Sequence, residues 1–179
     1  MVLVGDTSVG KSCLIHNYIH NSFSDEYEPT VLDVYKGTKK FMNKEIKVEI
    51  HDTSGDDLFG VNRTIKYRGA DVFMICVAVD DQNSLQNVQK WKDEIKSVVP
   101  EAPIMLTLTK NDLAEFLEDS ITKEQINQAK RQHGLQAIAI TSSKEFEDNN
   151  VHKAFEKLIQ TGYTGKYEWS HFTHFLSFH

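Results

Sequence analysis

The 179-residue chain has little cysteine: Cys13 and Cys76 only, both in apolar surroundings, where they read as structural thiols rather than redox or metal groups. It has no long basic run. Twenty Lys and Arg stand against 26 Asp and Glu, a formal charge of −6, and this balance argues against a nucleic-acid partner. The longest apolar run, VFMICVAV from Val72 to Val79, is far shorter than the roughly 20 residues a membrane helix needs, and it reads as a buried strand. The start, MVLVGDTS, lacks the charged segment, long apolar region and cleavage site of a secretory signal. A cytoplasmic location is expected, with membranes reached through partners. No internal repeat or low-complexity linker divides the chain, and 40% hydrophobic content suits one sizeable core.

What is present is an alternation of apolar stretches with stretches of helical period, the pattern of an α/β protein. Strands are expected at Met1–Val4, Asp71–Val79, Ile104–Leu108 and Gln136–Ile140, the later three being almost continuous apolar runs suited to a parallel sheet covered on both faces. Val34–Met42 and Glu45–Asp52 flank Asn43-Lys44 and predict an antiparallel hairpin. Helices are expected at Lys11–Asn21, Ser84–Val98, Thr122–Gln132 and about Val151–Gln160, with Thr122 and Gln125 forming a capping box. The tail after Gly162 is dense in aromatics and histidine.

GDTSVGKS, Gly5 to Ser12, matches GxxxxGK followed by Ser, between an apolar strand and a helical stretch. Glycines let backbone N–H groups curl around a phosphate chain, and the following helix points its positive end at the same anion. Lys11 would neutralise the β and γ phosphates, and the Ser12 hydroxyl would ligate Mg2+.

A phosphate loop does not name the base. TKND, Thr109 to Asp112, follows an apolar strand, and a carboxylate there accepts two hydrogen bonds from guanine N1 and N2. Adenine lacks that donor pair and would leave the charge unpaired. Lys110 can lay its stem over the base. TSSK, Thr141 to Lys144, occupies the equivalent place after the next strand and would support the base from the other side.

With these motifs in order, the chain resembles a small GTPase of the Ras superfamily over roughly residues 1–161, leaving 162–179 as an aromatic-rich extension. The resemblance implies a P-loop NTPase G domain: a six-stranded, mostly parallel sheet with helices on both faces and the nucleotide at the carboxyl ends of the strands. It implies a guanine-nucleotide shell of Gly5, Asp6, Thr7, Ser8, Val9, Gly10, Lys11, Ser12 and Cys13, with Phe23, Tyr27, Thr30, Gly55, Thr109, Lys110, Asp112, Leu113, Ser142, Ser143 and Lys144. Phe23 matches the aromatic that stacks on guanine. Thr30 matches the switch threonine on Mg2+, Asp52 the outer-sphere Mg2+ carboxylate, and Gly55 the glycine that reads the γ-phosphate. Mg2+ and GTP or GDP are the implied ligands, and effectors, exchange factors or activating proteins would read residues 21–35 and 52–68. EYEPTVLDVY and the Trp91 helix resemble Rho proteins, whereas GDTSVGKSCL and KYRGAD resemble Rab proteins, so signalling and vesicle trafficking are both open.

Departures from the pattern carry information. The first strand starts late at Met1, and the chain ends in SFH without a terminal Cys box, so no intrinsic membrane anchor is expected. Where the family places a water-orienting Gln after the switch glycine, this chain has Asp56, shorter, anionic and unable to donate a hydrogen bond. With Lys11, Thr30 and Gly55 as the remaining catalytic set, slow GTP hydrolysis is expected. Two alternatives stand beside the switch: a pseudo-GTPase acting as a constitutive binding module, and a small-molecule P-loop kinase, against which the TKND and TSSK pair argues. In the tail, Trp169, Phe172, Phe175 and Leu176 recur at helical spacing and either bind a partner or fold back on the domain.

Overall fold

The computed structural model describes the backbone of residues 1–23, 32–144 and 150–175, and side chains up to residue 165. The continuous apolar runs become the strands β1 (Val2–Val4), β4 (Phe73–Ala78) and β5 (Ile104–Thr109), every residue of which is buried. With β2 (Leu32–Phe41), β3 (Lys44–Thr53) and β6 (Ala137–Ile140) they form one sheet in the order β2-β3-β1-β4-β5-β6. All pairings are parallel except β2 with β3. The order reverses beside β1, which opens a crevice at the strands' carboxyl ends.

Helices cover both faces. α1 (Lys11–His20) and α6 (Asn150–Phe175) bury Leu14, Ile15, Phe155 and Leu158 against one side. On the other, α2 (Gly60–Tyr67), α4 (Val88–Val98) and α5 (Lys123–His133) contribute Tyr67, Trp91, Ile95 and Ile126. A carboxyl-terminal Gly134 in the left-handed region, φ 63°, and the Thr122–Gln125 capping box bound α5 as expected.

Three expectations are corrected, and one further helix is found. The hairpin turn lies at Met42-Asn43, φ 47° and 61°, not at Asn43-Lys44. The observed register sets Lys40 opposite Glu45 and Lys36 opposite Glu49, whereas the expected turn would have set Lys40 against Lys47, a like-charge pair. The single helix expected over residues 84–98 is two: α3 (Gln82–Gln86), capped by the Asp81 carboxylate, meets α4 at Asn87. α2 was not anticipated from the sequence. α6 does not stop near Gln160 but runs unbroken past residues 161 and 162, because Gly162 and Gly165 serve close packing: a Cβ at either would lie 3.0 Å from Val72 or 3.1 Å from Pro103.

Candidate functional site

The phosphate loop is shaped by sterics. Gly5 has φ 141°, and the space a Cβ would take is filled by the Cys76 carbonyl of β4, so only glycine fits. Gly10, at φ 91°, turns the chain into α1, whose first residue is Lys11. The Lys11 ammonium is buried and donates to the carbonyls of Gly5 (2.9 Å) and Asp6 (2.7 Å), which folds the side chain over the loop. Burial lowers its pKa, and the nearby Asp52 and Asp6 carboxylates partly oppose that shift.

Side chains moor the loop from outside. Thr109 Oγ1 donates to the carbonyls of Val9 and Val77, tying β5 and β4 to the loop, while the Val9 side chain sits in the core. The Asp6 carboxylate turns toward α4 and accepts from Trp91 Nε1 and Asn87 Nδ2, both at 2.7 Å. Asp6 thus gives the loop its backbone and an anchor to α4. Sequence reading missed that anchor.

At the other end of the crevice the TKND and TSSK residues come together. Ser142 Oγ donates to Asp112 Oδ1 at 2.6 Å and fixes the carboxylate, while Asn17 Nδ2 on α1 donates to the Ser143 carbonyl at 2.8 Å. Lys144 Nζ lies 5.0 Å from the centre of the Phe23 ring, and Lys110 Nζ pairs with Asp80 at 3.0 Å. A cleft of about 420 Å³ runs between the two ends, lined by Thr7, Ser8, Lys11, Ser12 and Cys13 on one side and Phe23, Lys110, Asp112, Leu113, Ser143 and Lys144 on the other. Thr53, Ser54 and Phe59 also line it; they fall within the expected 52–68 segment but outside the expected nucleotide shell. Tyr27 and Thr30 lie outside the described residues.

Ser12 and Asp52 supply a hydroxyl and a fully buried carboxylate, from the start of α1 and the end of β3. Such hard oxygen donors suit Mg2+, which takes one or two protein oxygens and completes its shell with phosphate and water. The protein side of a Mg2+ site fits.

The segment after β3 closes the cleft. Gly55 packs on the phosphate loop so closely that a Cβ would overlap the backbone of Thr7 and Asp6. Asp56 also lines the cleft, and its Oδ1 accepts from Leu58 N–H at 2.9 Å, capping the short 3-10 turn Asp57–Phe59 that leads into α2. Asp57 pairs with Lys90 of α4 at 2.7 Å. Arg63 of α2 donates to both Glu94 oxygens (2.8 and 2.7 Å) and to the carbonyls of Ser54 (2.8 Å) and Asp56 (3.0 Å), the residues flanking Gly55. Its guanidinium lies 4.7 Å from the Trp91 ring. Tyr67 completes the cluster by donating to Glu94 at 2.6 Å. Burial alone would raise the Glu94 carboxyl, but the bonds from Arg63 and Tyr67 hold it below its ordinary value. Arg63 gave no sequence signal, since its four acceptors are distant or are backbone carbonyls.

Sheet order and phosphate loop together define a P-loop nucleotide-binding domain. The Ras family model matches residues 1–164, and the chain belongs to that family of small GTPases. It is 40% identical over 116 residues to the Rho-related protein racE of Dictyostelium discoideum, covering 64% of this chain and 52% of that protein. It is 33% identical over 165 residues to the GTP-binding protein RHO4 of Saccharomyces cerevisiae, covering 90% of this chain and 56% of that protein. The chain therefore spans little more than half the length of these curated relatives.

Proposed function

We propose that the chain is a Rho-like guanine-nucleotide switch that binds GTP and GDP with Mg2+, hydrolyses GTP slowly, and acts through partners that read residues 21–35 and 52–68. The observation that carries this reading is the cleft in which Lys11 and the amino end of α1 face the same space as Asp112, Phe23 and Lys144. In it Lys11 and the loop amides bind the β and γ phosphates, Asp112 accepts from guanine, and Lys144 with Phe23 flanks the base plane. Ser12, Thr30 and Asp52 would hold Mg2+, which neutralises phosphate charge when bound. Gly55 presents its N–H to the terminal phosphate. The Rho-related relatives favour the Rho-like reading over the Rab-like one, and the protein is expected in the cytoplasm.

The Asp56 carboxylate carries the expectation of slow turnover. It is an acceptor already engaged by Leu58 N–H, and it would repel an anionic phosphoryl group. That engagement also favours a second reading, a binding module that holds GTP without cycling. Single-turnover hydrolysis separates the two. A slow wild-type rate that Asp56→Gln raises about tenfold, about 1.4 kcal/mol of barrier, supports the slow switch. GTP left intact by both proteins supports the binding module. Equal affinity for ATP and GTP in competition would refute the guanine assignment altogether.

A further inference from the structure

The β2–β3 hairpin carries a charge opposite to that of the chain. Residues 36–49 hold five lysines and two glutamates, a net +3 within a chain of formal charge −6. Two of the lysines are engaged: Lys36 pairs with Glu49 at 3.2 Å, and Lys39 lies 4.6 Å from the Tyr18 ring centre. Among the described residues, the exposed Lys40, Lys44 and Lys47 make no ion pair. At the tip between them, Met42 is 71% exposed in the left-handed conformation of the turn.

Lysines on an edge strand commonly guard it against pairing with another sheet, and β2 is such a strand. The same reading covers Lys44 and Lys47, because β1 pairs with β3 only at His51 and Asp52 and leaves the outer half of the hairpin a two-stranded ribbon; it does not cover the tip, where an exposed methionine is the opposite of a guard. Phe41, beside the tip, meets Tyr163 of α6 edge-on at 5.3 Å, so α6 passes next to the basic tip.

Position bears on what the tip does. Lys44 opens β3, and Gly162 and Gly165 pack near Val72 and Pro103, which precede β4 and β5. Hairpin tip and α6 therefore share the amino-terminal edge of the parallel strands, whereas the nucleotide cleft lies at their carboxyl edge. A surface held at the tip leaves the cleft and residues 52–68 facing outward.

We infer that the β2–β3 hairpin tip, Lys40, Met42, Lys44 and Lys47, is a docking surface for anionic phospholipid membranes. The lysines attract the headgroups, and Met42 enters the boundary region between them. Each lysine near an anionic surface strengthens binding about fivefold, so losing three weakens it about a hundredfold.

The test is co-sedimentation of the full chain with vesicles of phosphatidylcholine alone or with about one third phosphatidylserine. Binding is expected only to the anionic vesicles and falls as salt rises and screening shortens. Lys40→Gln, Lys44→Gln and Lys47→Gln combined should weaken it about a hundredfold, Met42→Ser should weaken it several-fold, and both variants should retain guanine nucleotide and melt like wild type. Equal binding to neutral vesicles, no binding to anionic ones, or a folded triple variant that binds like wild type each overturns the inference. Capture by poly-glutamate without vesicle binding would assign the patch to an acidic polypeptide instead.

Discussion

Removing the Glu94 carboxylate should loosen the segment that closes the nucleotide cleft. The Arg63 side chain is 1% exposed and spends four N–H donors on the two Glu94 oxygens and the Ser54 and Asp56 carbonyls, while Glu94 is 21% exposed. In Glu94→Ala the guanidinium keeps its carbonyl bonds but loses its counter-charge, and the Tyr67 hydroxyl loses its acceptor. Breaking a buried pair from one side costs about 3–5 kcal/mol. Partial access of water to Glu94 places the loss near the lower end, about 3 kcal/mol. For a domain of this size that lowers Tm by about 6–12 °C.

Urea unfolding of wild type, Glu94→Ala, and Arg63→Met with Glu94→Leu is the assay. The double variant should recover much of the loss, since it strands no charge beneath Trp91. A loss under about 1 kcal/mol in Glu94→Ala, or a double variant less stable than the single one, would refute the reasoning. The pH dependence has a fixed sign. Because Glu94 is held below its ordinary value, its contribution is present above the unfolded carboxyl pKa and is lost as pH falls through the lower folded one.

Three other outcomes are expected. Asp112→Asn should shift preference from guanine toward xanthine, whose C2 carbonyl accepts where guanine donates, and competition binding measures it. Ser12→Asn should weaken GTP binding more than GDP binding in Mg2+, and equal GTP affinity with and without Mg2+ in wild type would sink the assignment of Ser12 as a ligand. His51, 2.9 Å from Glu49, is held below its ordinary pKa chiefly by burial, so stability is full above about pH 6.5 and falls below it, and His51→Gln should flatten that slope in urea titrations.

The parts of the site legible in sequence are those whose chemistry is local. The phosphate loop is one contiguous stretch whose glycines are dictated by backbone geometry, and Gly5 against the Cys76 carbonyl bears that out. The sheet was legible because continuous apolar runs admit little else. What escaped depends on long separations. Asp6 with Asn87 and Trp91, and Arg63 with Glu94, join residues distant in sequence, and their polar types look solvent-facing until α4 is docked beside the loop. The length of α6 escaped because the sequence does not show Val72 and Pro103 pressed against Gly162 and Gly165 beyond the expected end near Gln160. The hairpin turn slipped by one residue because Asn-Lys looks like a better turn than Met-Asn until cross-strand charge is counted.

The consecutive carboxylates Asp56, which lines the cleft, and Asp57, which does not, are less hostile to phosphate than their charge suggests, because both have partners. Asp57 is drawn outward by Lys90, which keeps its carboxyl below the ordinary value. Asp56 caps the turn that begins α2, and the Arg63 guanidinium sits against its carbonyl. Asp56→Gln therefore changes two things at once. It supplies an amide that can orient water, which should speed hydrolysis, and it removes a cap worth about 1 kcal/mol from the turn. Rate and local order should move in opposite directions: faster single-turnover hydrolysis together with faster amide exchange at Leu58 and Phe59. Asp56→Asn keeps a capping acceptor while removing the charge, and so isolates the electrostatic part. If Asp56→Asn is as fast as Asp56→Gln, charge sets the barrier. If it stays as slow as wild type while Asp56→Gln is fast, reach and donation set it. A wild type already as fast as both variants would show that the carboxylate is a cap and nothing more.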